Sequence, residues 1–471
     1  MSDYPLLTEK AINHLKFLSE DYALAHGLVM RHPTVSSAII HAPFTLFPSA
    51  YPKSCFQNAI DIQKIFNKLI DKLSRDDKLI RNVMEELSIA DDFMKKTYEI
   101  YKKVADKPSV QTITLGLHRS DYLIHMEVSN ENSKPKPVLQ QVELNTIAAS
   151  FSSLSTRVSE LHQFLAKSGN YVESDVQQKT KFDFDYNNMP INNSIEAIPK
   201  GLAEAWKLYK YKQGVVMMIV QPNERNSFDQ RQIEYKLNEK YGVQLIRKTL
   251  KEVFDSAKIV NGELMIDNKI VCVTSARLLI EESRTVKCPN IQYHIVGSKK
   301  IQQILATPGV VERYLEDPAE VKLIRSCFTG LYPLDNSMEG KEAIKKALAT
   351  PEKFVMKPQR EGGGNNVYGL DIPPVISKLN ELELNGYILM DLIQTPDMSN
   401  VMVKQGEISV KPVISELGIY GVWVSDENEV YINEDCGHLV RTKNVGVTEG
   451  GVATGFSVLD SPLLVEDALF T

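Results

Sequence analysis

The stretch Lys357-Pro-Gln-Arg-Glu361-Gly-Gly-Gly-Asn-Asn-Val-Tyr368 concentrates residue types that can handle phosphate. Gly362, Gly363 and Gly364 lack Cβ, so several backbone N–H groups can turn into one concavity, a shape that suits a phosphate chain. Lys357 ahead of the loop can neutralise phosphate charge, and Glu361 offers a hard oxygen to Mg²⁺. Asn365, Asn366 and Tyr368 follow the glycines. No Gly-Lys-Ser/Thr follows them and no helix start is evident, so the pattern is not of the Walker type. A phosphate cradle is the expectation, and a hairpin tip with solvated charges is the competing reading.

Other residues have spacings that could join this chemistry. Glu143 and Asn145 lie two apart in the alternating run Val138–Asn145. On a strand they project to one face while Val142 and Leu144 take the other. With Glu361 they could complete an Mg²⁺ site; alone they read first as a solvent-facing edge pair. Arg119 is expected at a hairpin turn, Arg119-Ser-Asp121, between strands Thr112–His118 and Tyr122–Val128, as a carboxylate binder or a surface ion pair. Glu416 falls inside the largely apolar run Val413–Val424 and needs a partner there, which nucleotide hydroxyls or an amino group could supply. Arg441 and Lys443 precede a second glycine-rich run, Glu449–Gly455, and read as anion ligands or as an exposed turn. Glu224, Arg225, Asn226 and Gln230 follow the continuously apolar Val215–Val220, at the strand end where α/β units bind ligands. The nine histidines show no metal spacing, and no Ser/His/Asp order is visible. The five cysteines are scattered without a Cys-x-x-Cys, which argues against a disulfide framework and a zinc site.

The elements that must hold these groups read as a mixed α/β (α+β) chain. Helical spacing of Phe56, Ala59, Ile62, Phe66, Leu69, Ile70 and Leu73 predicts helix within 56–106, and another is expected over 8–30. Ser227-Phe-Asp-Gln230 reads as a capping box opening a helix that stops at Gly242, before a strand Val243–Ile246. Further helices are expected at Ser275–Arg284, Ser298–Ala306 and 339–349, and strands at Tyr387–Ile393 and Lys411–Gly418. The polar stretch 168–193 reads as an excursion or mobile loop. At 43% hydrophobic and 24% charged residues the composition is globular, and a net charge of −6 gives no argument for nucleic-acid or membrane-surface partners. The beginning Met1-Ser-Asp-Tyr-Pro shows no basic and apolar leader pattern, and no apolar run approaches a membrane span. A reducing, cytoplasmic setting is the default expectation.

The runs His41-Ala-Pro-Phe-Thr-Leu-Phe-Pro, Arg119-Ser-Asp-Tyr, Gln141-Val-Glu-Leu-Asn-Thr-Ile, Asn223-Glu-Arg-Asn-Ser-Phe-Asp-Gln, Gly297-Ser-Lys-Lys, Lys357–Asn366, Ile414-Ser-Glu-Leu-Gly-Ile and Leu439-Val-Arg-Thr-Lys together resemble eukaryotic glutathione synthetases, in order and over nearly the whole chain. The resemblance implies an ATP-grasp fold with a parallel-sheet substrate-binding subdomain and glycine-rich lid loops. It also implies a homodimer that joins γ-glutamylcysteine to glycine with ATP as co-substrate and Mg²⁺ as cofactor. Regions follow from it: 1–200 a helical and antiparallel-strand body carrying part of the metal and substrate site, 201–300 the substrate-binding subdomain, and 301–471 the nucleotide-binding and lid region. Glu143, Asn145 and Glu361 would hold Mg²⁺. Lys299, Lys357, Glu361–Asn366, Tyr368, Met390, Asp391, Leu392, Ile393, Glu416, Lys443 and Glu449 would surround ATP. Arg119, Ile147, Ala148, Ala149, Ser150, Glu224, Arg225, Asn226, Gln230, Arg441, Val452 and Ala453 would contact the peptide, with Arg119, Arg441 and Lys357 serving catalysis.

Two departures bear on the peptide side. Where the family carries a tyrosine-rich Arg-x-Gly-Tyr loop, this chain runs from Val271 through Cys272-Val-Thr-Ser275 directly into Ala276-Arg-Leu-Leu. The second glycine run has Thr454 where the family usually has alanine. The carboxylate contacts of the absent loop are then expected to fall to Arg119, Arg225 and Arg441. A synthetase-like paralogue with altered donor or acceptor specificity, or reduced activity, is the alternative this leaves open.

Overall fold

The computed structural model describes residues 2–470 apart from Ser36, 108–109, 129–132, 173–179, 210, 212, 268, 275–276, 361–363 and 449, and of residues 269–274 the backbone alone. A seven-stranded sheet draws its strands from both ends of the chain. In spatial order they are Met398–Lys404, Phe44–Thr45, Ser457–Asp460, Val430–Asn444, Glu407–Ser425, Thr114–Glu127 and Lys136–Asn145. All pairings are antiparallel except Phe44–Thr45 with Ser457–Asp460. Leu417, Ile419, Val422 and Val424 are buried in the principal core. The helix Lys53–Ser74 packs on this sheet, and its buried Asn67 donates to Asn433 Oδ1 (3.1 Å) and Glu434 O (3.2 Å).

The expected hairpin at Arg119 is not formed: Thr114–Glu127 is one unbroken strand with Arg119 and Asp121 inside it. Charged residues in sequence argued for a turn, but here they neutralise each other within a sheet face, so the strand continues. The helical run 56–106 is likewise three helices, Lys53–Ser74, Asp77–Ala90 and Asp92–Ala105. Asp76 accepts from Leu79 N and Asp91 from Met94 N, each starting a new helix with a side-chain cap.

A second sheet contains the parallel strands Leu245–Lys248, Val215–Ile219, Lys269–Thr274 and Val286–Lys287, with Glu263–Ile266 and Lys258–Val260 added antiparallel. The βαβ unit is as the sequence indicates, with helix Ser227–Tyr241 ended by Gly242 in left-handed backbone (φ 67°). Its start differs. Asn226, not Ser227, is the N-cap and makes no side-chain capping bond, while Gln230, the far member of the expected box, is drawn to Glu224 and Arg247. Ser275–Arg284 also shortens to one turn, Leu278–Glu281, among the described residues.

The third sheet is antiparallel, ordered Leu331–Pro333, Tyr387–Asp391, Phe354–Pro358, Val367–Tyr368. The glycine-rich stretch is the connection between the last two strands, closed by the pairs Val355 with Tyr368 and Met356 with Val367. Met356 and Leu389 are fully buried in one cluster with Phe354 and Ile372. No helix among the described residues is long and apolar enough to cross a membrane.

Candidate active site

Residues directly opposite on antiparallel strands share a face, and the register collects the site on one face of the large sheet. Arg119 pairs with Asn145, and Asp121 with Glu143. On the next strand Tyr420 lies opposite Arg119 and Gly418 opposite Asp121, and Glu416 faces Arg441 across the following ladder. Asp121 is the centre. Arg119 donates to it through Nε (2.6 Å, to Oδ1) and Nη2 (2.8 Å, to Oδ2). Arg441 Nη2 donates to Asp121 Oδ2 at 3.0 Å and also to Glu416 Oε1. Asn145 Nδ2 donates to Asp121 Oδ2 (3.0 Å) and Arg119 O (3.2 Å), so its amide oxygen points away from that carboxylate. Gly418 makes room: a Cβ there would lie 2.6 Å from Asp121 Oδ1 and 2.8 Å from Arg119 Cδ.

Lysines face this group from the small antiparallel sheet and its neighbouring helix. Lys357 Nζ donates to Val142 O at 2.9 Å, tying the glycine-loop strand to the strand of Glu143. Lys299, the first residue of helix Lys299–Ala306, donates to Arg360 O at 2.9 Å, just before the glycines. Burial would raise the Glu143 pKa, but Lys299, Arg441, Lys357 and Arg119 outweigh it and hold the carboxyl at about 2. Burial lowers Lys357 to about 8, opposed by Glu143 and reinforced by Lys299. Glu143 and the outward amide oxygen of Asn145 are hard oxygen donors in a cationic setting. That set fits Mg²⁺ when it arrives with phosphate oxygens, since Mg²⁺ takes few protein ligands.

The second glycine-rich run lies close by. Tyr368 Oη and Lys443 Nζ both donate to Thr448 O at 3.3 Å. Lys404 Nζ donates to Gly455 O (3.0 Å), and Arg225 Nη1 donates to Ala453 O. Val452 is buried, and Thr454 Oγ1 donates to Gly451 O at 3.0 Å, a bond that alanine could not make. Ile147–Ser150 form the loop after Asn145. Ala148 (φ 55°) and Phe151 (φ 71°) adopt left-handed backbone there, which costs non-glycine residues energy and concentrates at functional loops. Tyr420 Oη (2.6 Å) and Arg119 Nη1 (3.4 Å) donate to Ser150 O. Asp229 accepts from Phe151 N (2.7 Å) and Ser153 N (2.8 Å), capping the helix Ser152–Lys167. Glu224 accepts from Asn226 N (2.9 Å) and Gln230 Nε2 (3.2 Å), and Asn226 Nδ2 donates to Asp229 Oδ2 (3.2 Å), linking the strand-end cluster to that loop.

The sequence profile of the family described as "Eukaryotic glutathione synthase, ATP binding domain" matches residues 9–464. The chain belongs to the eukaryotic glutathione synthase family. It is 38% identical to the chloroplastic glutathione synthetase of Arabidopsis thaliana, over 98% of this chain and 87% of that one. It is 37% identical to the Xenopus laevis glutathione synthetase and 36% to that of Homo sapiens, each over 97% of this chain and 98% of the relative. The fold matches the solved apo structure of a glutathione synthetase like-effector from Globodera pallida, with a TM-score of 0.79 over 99% of this chain and 100% of that one, at 22% identity.

Within this family member, the structure brings together Arg119, Glu143, Asn145, Lys299, Lys357, Glu416 and Arg441, with Tyr368 and Lys443 joined through Thr448. Met390 and Asp391 end the strand beside Phe354–Pro358, where Asp391 accepts from Tyr332 Oη (3.3 Å), and Leu392 and Ile393 follow it. Gly364 (φ 72°), the last of the glycines, begins the described part of the loop, with Asn365 next and Asn366 Nδ2 donating to Tyr368 Oη at 3.3 Å. Glu361, Gly362, Gly363 and Glu449 lie outside the described residues. Sequence reasoning gave no role to Asp121, Gly418, Tyr420 or Asp229. Asp121 had a signal, standing two residues from Arg119, but the arginine and glycine it meets are hundreds of residues away.

Proposed function

We propose that this chain is a working glutathione synthetase that joins γ-glutamylcysteine to glycine at the expense of ATP, with Mg²⁺ bound. Family membership makes it an ATP-dependent ligase of glutathione synthesis; donor, acceptor, metal and residue roles are the proposal. The observation that carries it is the single sheet face on which Arg119, Asp121, Glu143, Asn145, Glu416 and Arg441 meet, with Lys299 and Lys357 opposite. In this reading 301–471 is the nucleotide-binding and lid region of an ATP-grasp fold, 201–300 binds peptide, 1–200 completes the site, and two chains form a homodimer.

A carboxylate is a poor acyl donor, so the cysteinyl carboxylate of the dipeptide first takes the γ-phosphoryl group of ATP. Glycine's amine then attacks the acyl phosphate, and phosphate leaves from the tetrahedral intermediate. Such chemistry needs positioning and charge stabilisation more than a covalent nucleophile. Lys299, Lys357 and the amides after Arg360 would neutralise the triphosphate, while Glu143, Asn145 and Glu361 would hold the metal. Mg²⁺, when bound, supplies charge neutralisation at the phosphate oxygens. Arg119 and Arg441, fixed by Asp121, face the anionic reacting centre. Ile147–Ser150, Glu224–Asn226, Gln230, Val452 and Ala453 enclose the peptide, and both glycine-rich loops shield the acyl phosphate from water.

Hydroxylamine trapping tests the order of steps. With ATP, Mg²⁺ and γ-glutamylcysteine but no glycine, the protein should form the cysteinyl hydroxamate in amounts matching ADP. ADP production without hydroxamate would remove the acyl phosphate from the account.

A further inference from the structure

Arg247 belongs to none of the sets above. It lies on the strand Leu245–Lys248, paired with Met218 of the parallel strand Val215–Ile219 and one residue from its own strand's carboxyl end. Open parallel sheets place ligands outside that end. Its Nη2 donates to Gln230 Oε1, and Gln230 Nε2 in turn donates to Glu224 Oε2 at 3.2 Å. Its Nε is enclosed and, among the described residues, meets no acceptor. Native proteins seldom leave such a donor without a use.

The charge around Arg247 favours an anion. Burial first, then the charge of Arg231, lowers its pKa; Glu234 and Glu224 oppose this, and Arg31 adds to it. Arg231 is itself paired with Glu234 at 2.6 Å, and Glu224 is engaged by Gln230 and the backbone of Asn226. A planar guanidinium with an enclosed, unmet N–H is suited to bidentate carboxylate binding.

We propose that Arg247 binds the α-carboxylate of the γ-glutamyl group, beside Glu224 placed for the neighbouring ammonium. Arg247 thus supplies a carboxylate contact on the peptide side, where the segment Val271–Ala276 is short. This inference rests on the donor being γ-glutamylcysteine.

The test compares γ-glutamylcysteine with 4-aminobutanoylcysteine, which lacks only the α-carboxylate, in wild type and in Arg247→Met. A charge-assisted contact predicts that removing the carboxylate raises the wild-type Michaelis constant about ten- to a hundred-fold. Arg247→Met should raise the constant for γ-glutamylcysteine by a similar factor, and removing the carboxylate should then cost less than about two-fold more. The ATP constant should be unchanged. If Arg247→Met fails to fold, Arg247→Lys carries the same comparison, with a carboxylate effect smaller than in wild type. A variant that weakens both donors equally, or neither, would overturn the inference while leaving the donor assignment intact. A wild type that neither binds nor ligates γ-glutamylcysteine would overturn the donor assignment and this inference together.

Discussion

Two arginines and an asparagine share the carboxylate of Asp121, so its charge fixes groups from three strands at once. Asp121→Asn keeps the shape and places a donor against a guanidinium. Breaking one side of a buried pair costs about 3–5 kcal/mol. The expected result is a lower melting temperature and a loss of dipeptide kcat/KM on the order of 100-fold. Arg441→Ala should damage dipeptide use and, because Arg441 also holds Glu416, weaken ATP binding too. Lys357 gives a pH signature. Its pKa of about 8 means it loses charge as pH rises past that value, and triphosphate charge should pull it back up. ATP binding should therefore take up protons at pH 8.5, read by calorimetry in two buffers of different ionisation enthalpy. ATP affinity should fall as pH rises further, and Lys357→Met should abolish the uptake. At this scale Glu143 with Asn145 was legible because strand alternation alone puts them on one face. Asp121 was not, because its partners are assembled by register between strands distant in sequence.

The strand Glu407–Ser425 shows what an element contributes, since it carries Glu416, Gly418 and Tyr420 at alternate positions under Arg441, Asp121 and Arg119. Gly418→Ala adds one methyl group where Asp121 and Arg119 already sit. Overpacking of this kind costs about 1–3 kcal/mol, so a lower melting temperature and weaker dipeptide binding are expected from thermal unfolding and kinetics. Unchanged values would mean that the Arg119–Asp121 pair does not cross this glycine. The βαβ unit was readable from an apolar run, a periodic helix and Gly242. The capping box at Ser227 was not formed, and Gln230 binds Glu224 and Arg247, a tertiary demand that local pattern cannot register. The hairpin at Arg119 was misread for the same reason, as ion pairing across strands allows charges inside a sheet.

Across the whole molecule the large sheet, the parallel sheet and the glycine-loop sheet are joined by bonds such as Lys357 to Val142 O, Tyr368 to Thr448 O and Arg225 to Ala453 O. Arg225→Ala should release the second glycine-rich loop, seen as faster hydrogen exchange at Val452–Gly455 in the ligand-free protein. Unaltered exchange would mean that Lys404 and the Thr454 bond hold the loop without it. The mixed α/β class was visible in sequence, whereas a central sheet built from strands within residues 44–45, 114–145 and 398–460 was not, because no local pattern encodes which distant strands pair. The central claim is that this site couples ATP cleavage to peptide ligation. Products formed from ATP, Mg²⁺, γ-glutamylcysteine and glycine, quantified together by mass spectrometry and phosphate release, test it most directly. The account predicts glutathione, ADP and phosphate in equal amounts, all falling sharply when the dipeptide is omitted. ATP cleavage indifferent to the dipeptide, or glutathione absent while ADP accumulates, would contradict it.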